Sequence, residues 1–163
     1  MAFPTTGLLD DFNRGNEGPP PSADWTTLVE GHKVVSNECQ SNNTSASQNV
    51  SMWDTNTFGP DCEVFISIPT LPDFRVEVAL RTTTLVLGTH DGYRVSADMG
   101  NNGIEIRRVD NGANTQLGAD VAFTWAVGDK IGGEVIGSTI KGYIDENNSS
   151  IRPDYPHRGA FKD

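Results

Sequence analysis

Hydrophobic and polar residues alternate with a period of two along the middle of the chain. Val76, Val78 and Leu80 alternate with Arg75 and Glu77, and no stretch keeps the spacing of an amphipathic helix beyond two turns. This alternation is typical of a β-strand with one buried face, because successive side chains point to opposite sides. The same pattern predicts three further groups of inward side chains: Val64, Ile66 and Ile68; Tyr93, Val95, Ala97 and Met99; Ile104 and Ile106.

Turn-forming dipeptides separate these alternating runs. Asp91-Gly92, Asn102-Gly103 and Asn111-Gly112 tolerate the positive φ angles that tight hairpins demand. Many short strands at regular spacing predict an all-β fold, an antiparallel β-sandwich. The predicted strands cover residues 8–12, 25–29, 33–39, 62–68, 73–81, 83–88, 92–99, 103–109, 114–126 with a break, and 130–144 as two strands around Gly137 and Ser138.

The chain of 163 residues fits a single domain with its own core. Residues 41–49 are rich in Ser, Asn and Thr, which predicts an exposed loop. Residues 146–163 are polar, contain two prolines and show no alternation, so they form either an arm that docks on a neighbour or a frayed end. We therefore predict one sandwich over residues 1–145, followed by an irregular C-terminal arm over residues 146–163.

The composition excludes several classes of partner. Lys and Arg number 12 against 22 Asp and Glu, a net charge of −10, which argues against binding to a nucleic-acid backbone. No apolar run approaches the roughly 20 residues that a membrane span needs. Residues 1–7 lack both a charged and an apolar region, so no secretory signal peptide is expected.

One stretch near the start resembles a known family. The run from Leu9 to Arg14 (Leu-Asp-Asp-Phe-Asn-Arg), followed by Trp25, is similar to the opening of concanavalin A-like lectin/glucanase (laminin-G-like) jelly rolls. Such modules recur in phage structural proteins and in bacterial surface proteins. The resemblance spans about residues 8–145 and implies a jelly-roll sandwich; further similar segments are residues 58–64, 106–112, 127–132 and 137–140.

Physical chemistry accounts for several of these residues without a ligand. Asp10, Asp11 and Asn13 are expected to hydrogen-bond the local backbone where the chain turns. Phe12 and Trp25 would supply apolar area to the core. The pair Gly132-Gly133 within a strand predicts either a bulge or a close approach between sheets.

Catalytic patterns are missing from the sequence. Glucanases of the resembled fold carry Glu-x-Asp-x-x-Glu on one strand, and this chain has no such run. Glu63 and Glu77 are the nearest acidic pair, and we expect both to be solvated on outer faces rather than to face one cleft. The histidines are far apart in the sequence, and no Gly-x-Ser-x-Gly occurs. We therefore predict that the protein is not an enzyme.

A sugar site would use an exposed aromatic ring beside amide and carboxylate groups. Trp53 with Asp54, Asn56 and Phe58, in a predicted loop, is the best candidate, and Tyr93 and Tyr143 are alternatives. The other interpretation of Trp53 is that it closes one end of the sandwich, because large aromatic residues usually serve the core.

A metal ion and a disulfide both stay open as alternatives. Relatives implied by the resemblance often bind calcium through loop oxygens, and such an ion takes six to eight of them. An acidic surface without any ion is the alternative; the candidate ligands are Asp10, Asp11, Asp54, Asp61, Asp110, Asp145, Asn56 and Asn111. A disulfide between Cys39 and Cys62 would add about 3 kcal/mol, but a reducing cytoplasm favours free thiols, which we prefer.

The resemblance and the missing motifs together suggest a binding or assembly role. Members of the resembled group usually add strands after the region matching residues 137–145, so either the sandwich is left with an open edge or residues 146–163 fill that edge irregularly. An open edge is a template for assembly. We predict a non-enzymatic phage virion protein without a cofactor, a decoration module on capsid or tail that binds other virion proteins or copies of itself after assembly in the host cytoplasm. The alternative is a carbohydrate-binding adhesin domain, extracellular or at a cell surface, that recognises glycans.

Overall fold

The computed structural model describes residues 3–44, 48–83, 86 and 88–145. Within these ranges the chain forms strands and no helix, and all strand pairs are antiparallel. The predicted all-β antiparallel sandwich is confirmed. In the part of the chain so described, no helix has the length and apolar character needed to cross a membrane.

The chain divides into two compact units. The first, which we call the hairpin unit, consists mainly of residues 7–44 and 48–58, and the second, the sandwich unit, of residues 3–6, 59–83 and 88–145. Residues 146–163 lie outside the described residues, so the predicted C-terminal arm stays a prediction, as does the single domain over residues 1–145.

The hairpin unit contains four short strands. These are β1 (Trp25–Leu28), β2 (His32–Val35), β3 (Glu38–Ser41) and β4 (Val50–Trp53). Strand β1 pairs with β4, and β2 pairs with β3. The prediction of one strand over residues 33–39 is wrong, because Ser36 and Asn37 adopt positive φ angles of 54° and 63° and turn the chain back as a hairpin.

Residues 8–12 were expected to form a strand, and this prediction is also wrong. The Asp10 and Asp11 carboxylates accept hydrogen bonds from the backbone N–H groups of Phe12 and Asn13, at 2.8 and 2.9 Å. These local bonds make turns, and Phe12 has a positive φ of 53° that no strand contains. The expected role of Asp10 and Asp11 in a turn is therefore confirmed, although no strand precedes it.

The sandwich unit contains two sheets that pack face to face. Its strands are β5 (Cys62–Ser67), β6 (Arg75–Leu80), β7 (Gly92–Asp98), β8 (Gly103–Asp110), β9 (Ala113–Gln116), β10 (Val121–Ala122), β11 (Lys130–Ile136) and β12 (Thr139–Ile144). The five-stranded sheet has the order β10-β8-β7-β6, with β9 also paired to β8, and the three-stranded sheet has the order β12-β11-β5. The strand positions predicted over residues 62–144 are confirmed except at residues 83–88, where Thr83, Val86 and Gly88 are not in a strand and the other three lie outside the described residues. The prediction of a nearly continuous meander is wrong, because consecutive strands pair only from β6 to β9 and from β11 to β12, whereas β5 pairs with β11 and β10 pairs with β8.

The core lies between these two sheets and uses the predicted inward faces. Val78, Leu80, Val95, Ile104 and Ile106 are all buried, and the remaining predicted inward residues join or border the same cluster. The alternating pattern therefore located the core correctly, because period-two patterning separates the two faces of each strand.

Gly133 lets the two sheets approach closely. A Cβ atom at this position would lie 2.6 Å from Leu80 Cδ1 and 2.8 Å from Val95 Cγ2, both in the facing sheet. The register of β11 runs without interruption along both of its neighbours. Of the two predicted explanations for this glycine, the close approach is confirmed and there is no bulge.

Candidate functional site

The outer face of the five-stranded sheet carries a network of charged and polar side chains. The strand alternation that sends Val78 and Val95 into the core sends their neighbours to this face. We call it the arginine–carboxylate face. Its members are Arg75, Glu77, His90, Arg94, Ser96, Asp98, Glu105 and Arg107.

Arg75 lies at the centre of this network. Its guanidinium group is 2.7 Å from Asp98 Oδ2, 3.0 Å from Glu105 Oε1 and 3.5 Å from Glu77 Oε1. Asp98 and Glu105 are only 4% and 5% exposed. Carboxylates so far removed from water need a cationic partner, and Arg75 supplies it to both.

Two more arginines extend the network. Arg94 contacts Glu77 Oε2 at 3.3 Å and His90 Nε2 at 2.7 Å. Arg107 donates to Glu105 Oε2 at 2.9 Å. The buried Ser96 hydroxyl donates to Glu77 Oε1 at 2.8 Å. These side chains therefore hold one another in fixed orientations before any ligand arrives.

The network shifts the pKa values of Asp98 and Arg107 in the direction that favours their charged forms. Burial would raise the pKa of Asp98, but hydrogen bonds from Asn101 and the charge of Arg75 outweigh burial and lower it. The hydrogen bond to Glu105 raises the pKa of Arg107, against a smaller opposing effect of burial. The face therefore presents alternating fixed charges of both signs rather than a patch of one sign.

Several atoms of this face keep unused hydrogen-bonding capacity. Arg75 Nε, Arg107 Nε, His90 Nδ1 and Glu105 Oε1 are buried and have no hydrogen-bond partner among the described residues. Glu105 Oε1 lies near Arg75 but without the geometry of a hydrogen bond. Buried polar atoms are normally paired with protein atoms or with ordered water, so four such atoms in one network are unusual.

An exposed aromatic ring borders the same face. Phe74 directly precedes β6 and is 64% exposed. The guanidinium carbon of Arg75 lies 4.9 Å from the centre of its ring. This cation–π contact orients the Phe74 ring beside the network, although the ring itself stays open to solvent.

The two acids that the sequence singled out lie on different sheets. Glu77 belongs to the arginine–carboxylate face, whereas Glu63 lies on the outer face of the three-stranded sheet. As expected, they do not face one cleft. The expectation that Glu63 is solvated is wrong, because its Oε1 accepts hydrogen bonds from the backbone and hydroxyl groups of Thr5 and Thr6.

Trp53 lies in strand β4 and not in a loop, which corrects the prediction. It pairs with Trp25 of β1, and the two rings meet edge to face with centroids 5.4 Å apart. Asp54 and Asn56 follow it and are exposed, and Asp54 Oδ2 accepts a hydrogen bond from Thr26 at 2.7 Å. The half-buried Trp53 ring therefore packs on Trp25 within the hairpin unit, and the alternative that it closes one end of the sandwich stays a prediction.

The two tyrosines of the predicted sugar site belong to the sandwich unit and differ in exposure. Tyr93 is 1% exposed and is part of the core, so the prediction that it contacts a ligand is wrong. Tyr143 is half-buried on the outer face of the three-stranded sheet, where the Phe3 ring stacks on it. Its hydroxyl group donates to Glu134 Oε1 at 3.2 Å.

The candidate calcium ligands are engaged in protein contacts. In the described part of the chain, no three acidic, His or Cys side chains are grouped so that they could hold a metal ion. Asp10 binds Arg14, Asp61 Oδ1 accepts from Gly137 N at 2.8 Å, and Asp145 Oδ1 accepts from Lys130 N at 2.9 Å. The structure therefore does not support a calcium site at these residues.

Both cysteines are free thiols.

Sequence reasoning missed the arginine–carboxylate face. The signal was present in the outward positions of the same alternating strands, which carry Arg75, Glu77, Arg94, Ser96 and Asp98. Only the register of β6, β7 and β8 shows that these side chains meet, because alternation fixes the face but not the partner.

The fold is similar to that of a solved carbohydrate-binding module, CBM66 from Bacillus subtilis, with a TM-score of 0.56. The two chains are 18% identical, and the alignment covers 80% of this chain and 82% of that chain. No protein-family model and no curated protein sequence matches the chain. The similarity supports the sandwich fold implied by the resemblance to concanavalin A-like jelly rolls, and it does not concern phage proteins.

Proposed function

We propose that the protein is a non-catalytic carbohydrate-binding module whose ligand lies on the arginine–carboxylate face. The observation that carries this proposal is the exposed ring of Phe74, which Arg75 holds beside partly exposed charged side chains of both signs, among them Glu77 and Arg107. The fold is compatible with this role, because the structurally similar CBM66 from Bacillus subtilis is a carbohydrate-binding module.

The charged groups of this face match the chemistry of sugar hydroxyl groups. A hydroxyl group donates one hydrogen bond and accepts others, so it pairs with an arginine N–H and a carboxylate oxygen at the same time. The partly exposed side chains of Arg75, Glu77 and Arg107 offer this combination. Because the three arginines are balanced by Glu77, Asp98 and Glu105, the face favours an uncharged sugar over a polyanion.

Phe74 supplies the apolar part of the proposed site. One face of a sugar ring is lined by C–H groups and packs against an aromatic ring. Phe74 is exposed and is oriented by Arg75, so its ring is available without rearrangement. A ligand that spans Phe74 and Arg75 would combine apolar contact with hydrogen bonding, as small-molecule sites generally do.

Ion pairs with Arg75 engage the carboxylates of this face, which supports binding without hydrolysis. A glycoside hydrolase needs one carboxylic acid that is free to protonate the leaving oxygen. Glu77, Asp98 and Glu105 each form an ion pair with Arg75. The site is therefore suited to holding a sugar in place and poorly suited to cleaving it.

The test is glycan-array screening of the purified chain, followed by calorimetry with each polysaccharide that binds. Phe74→Ala should weaken binding about tenfold, or about 1.4 kcal/mol, because it removes the ring contact. Phe58→Ala is the matched control, since Phe58 is a similarly exposed phenylalanine, at 52%, in the hairpin unit. An array without any bound glycan, or equal losses in both variants, would contradict the proposal.

The predicted virion role stays a prediction, together with its assembly partners and its localisation in the virion or at a cell surface. A sugar-binding module serves equally in either setting, so the proposed chemistry does not depend on which is correct.

A further inference from the structure

The outer face of the three-stranded sheet contains a groove that residues 3–6 fill. Its floor is Gly132, where a Cβ atom would lie 2.3 Å from Phe3 Cζ. The Phe3 ring stacks on Tyr143, with centroids 4.0 Å apart and planes 2° from parallel, and meets the Phe65 ring edge to face at 6.4 Å. Phe3 is therefore only 8% exposed, and the absence of a side chain at Gly132 makes room for it.

Glu63 anchors the other end of this segment. Its Oε1 accepts hydrogen bonds from Thr5 N and Thr6 N, each at 2.6 Å, and from their hydroxyl groups at 3.0 and 2.7 Å. Hydrogen bonds to an ionised carboxylate are stronger than those between neutral groups. The Tyr143 ring and the Glu63 carboxylate thus recognise the sequence Phe-Pro-Thr-Thr at two points.

The chain that follows this segment is loosely packed. A Cβ atom at Gly7 would meet nothing within 4 Å, and Leu8 and Leu9 are 66% and 49% exposed. The contacts that hold residues 3–6 are therefore those with the groove, and a hinge after Thr6 would disturb little else. Segments attached in this way are the ones that proteins exchange between copies at low energetic cost.

We propose that the groove formed by Glu63, Phe65, Gly132 and Tyr143 is a docking site for residues 3–6 of a second copy of this chain. Copies then pair by exchanging the segment, and each groove makes the same contacts that it makes within one chain. Because a short linker gives an effective concentration of about 1 mM, exchange competes with the internal contact at protein concentrations of that order.

The first test asks whether the groove accepts the segment without a covalent link. An open-groove variant, Phe3→Ala with Thr5→Ala and Thr6→Ala, keeps the groove but loses the segment's contacts. A fluorescent peptide, Phe-Pro-Thr-Thr-Gly, should bind this variant, and adding Glu63→Gln and Tyr143→Ala should weaken binding more than about tenfold. The full-length natural chain should bind the peptide weakly, because its own segment competes. No binding to the folded open-groove variant would overturn the proposal.

The second test asks whether whole chains exchange. Light scattering of the natural chain should show a mass that rises toward twice the monomer value near about 1 mM. The open-groove variant and a Glu63→Gln, Tyr143→Ala variant should each stay monomeric alone and pair when mixed. A monomeric natural chain at all concentrations would overturn exchange, even if the peptide binds.

Discussion

Arg14 and Asp10 form a two-point ion pair, with Nη1 2.6 Å from Oδ1 and Nη2 3.0 Å from Oδ2. The same carboxylate accepts hydrogen bonds from Trp25 Nε1 at 2.9 Å and from Phe12 N at 2.8 Å. Burial would raise the pKa of Asp10, but these hydrogen bonds outweigh burial and lower it. One buried carboxylate therefore fixes the turn after residue 10 to the aromatic side chains of the hairpin unit.

Asp10→Asn should destabilise the protein by about 1–3 kcal/mol. The substitution keeps the size of the side chain but removes the charged carboxylate to which Arg14 and Trp25 donate hydrogen bonds. Urea unfolding followed by tryptophan fluorescence measures the effect. Asp11→Asn is the control, since Asp11 is exposed and makes a local bond to Asn13 N. Equal effects of the two substitutions would show that the ion pair is not the cause.

The resemblance to known jelly rolls rested on residues 9–14, but it did not predict how they fold. Asp10 and Asp11 were correctly expected to bind local backbone, and yet Leu8–Phe12 was predicted as a strand. Side chains that capture their own backbone N–H groups compete with strand pairing, and at Asp10 the local bonds prevailed because Arg14 and Trp25 stabilise them. That stabilisation depends on a contact across 15 residues, which a local pattern does not show.

Trp53→Ala should destabilise the hairpin unit by about 2 kcal/mol and leave glycan affinity unchanged. The half-buried ring packs on Trp25, so its removal costs packing, whereas the proposed ligand lies on the arginine–carboxylate face. Thermal unfolding gives the stability, and calorimetry of the folded variant gives the affinity. Trp53→Phe, which keeps an aromatic ring, should lose less stability. If the Trp53→Ala variant unfolded normally but lost glycan binding, the result would show that Trp53 contacts the sugar.

Gly133→Ala should destabilise the sandwich unit by about 1–3 kcal/mol, because the new methyl group would overlap Leu80 and Val95 across the core. Gly59→Ala is the matched control, since the nearest atom to its Cβ would be Asp61 O at 3.9 Å. The free energy of unfolding in urea compares the two. If both variants were as stable as the natural chain, the sheets would not be held as close as the structure has them.

The sandwich could be predicted from the sequence because its core follows a local rule. Period-two alternation placed Val78, Val95 and Ile106 inside, and the structure agrees. The candidate site follows no local rule, since Arg75 meets Asp98 and Glu105 only through the pairing of three strands. The aromatic residues proposed for the sugar site were also a poor indication of exposed rings. Tyr93 and Trp53 contribute to packing, whereas the Phe74 ring is exposed.

The segment that Glu63 holds should be released by acid. Burial would raise the pKa of Glu63, but the hydrogen bonds from Thr6 and Thr5 outweigh burial and lower it from its ordinary value of 4.5. A carboxyl whose pKa is lower in the folded state contributes stability that is complete above its unfolded-state pKa and is lost as the pH falls through the folded-state pKa. Glu63→Gln should therefore cost about 1 kcal/mol at neutral pH, and the difference from the natural chain should shrink below pH 4.5. Urea unfolding on both sides of that pH measures it, and a difference that grew in acid would show that the carboxylate form is not what binds Thr5 and Thr6.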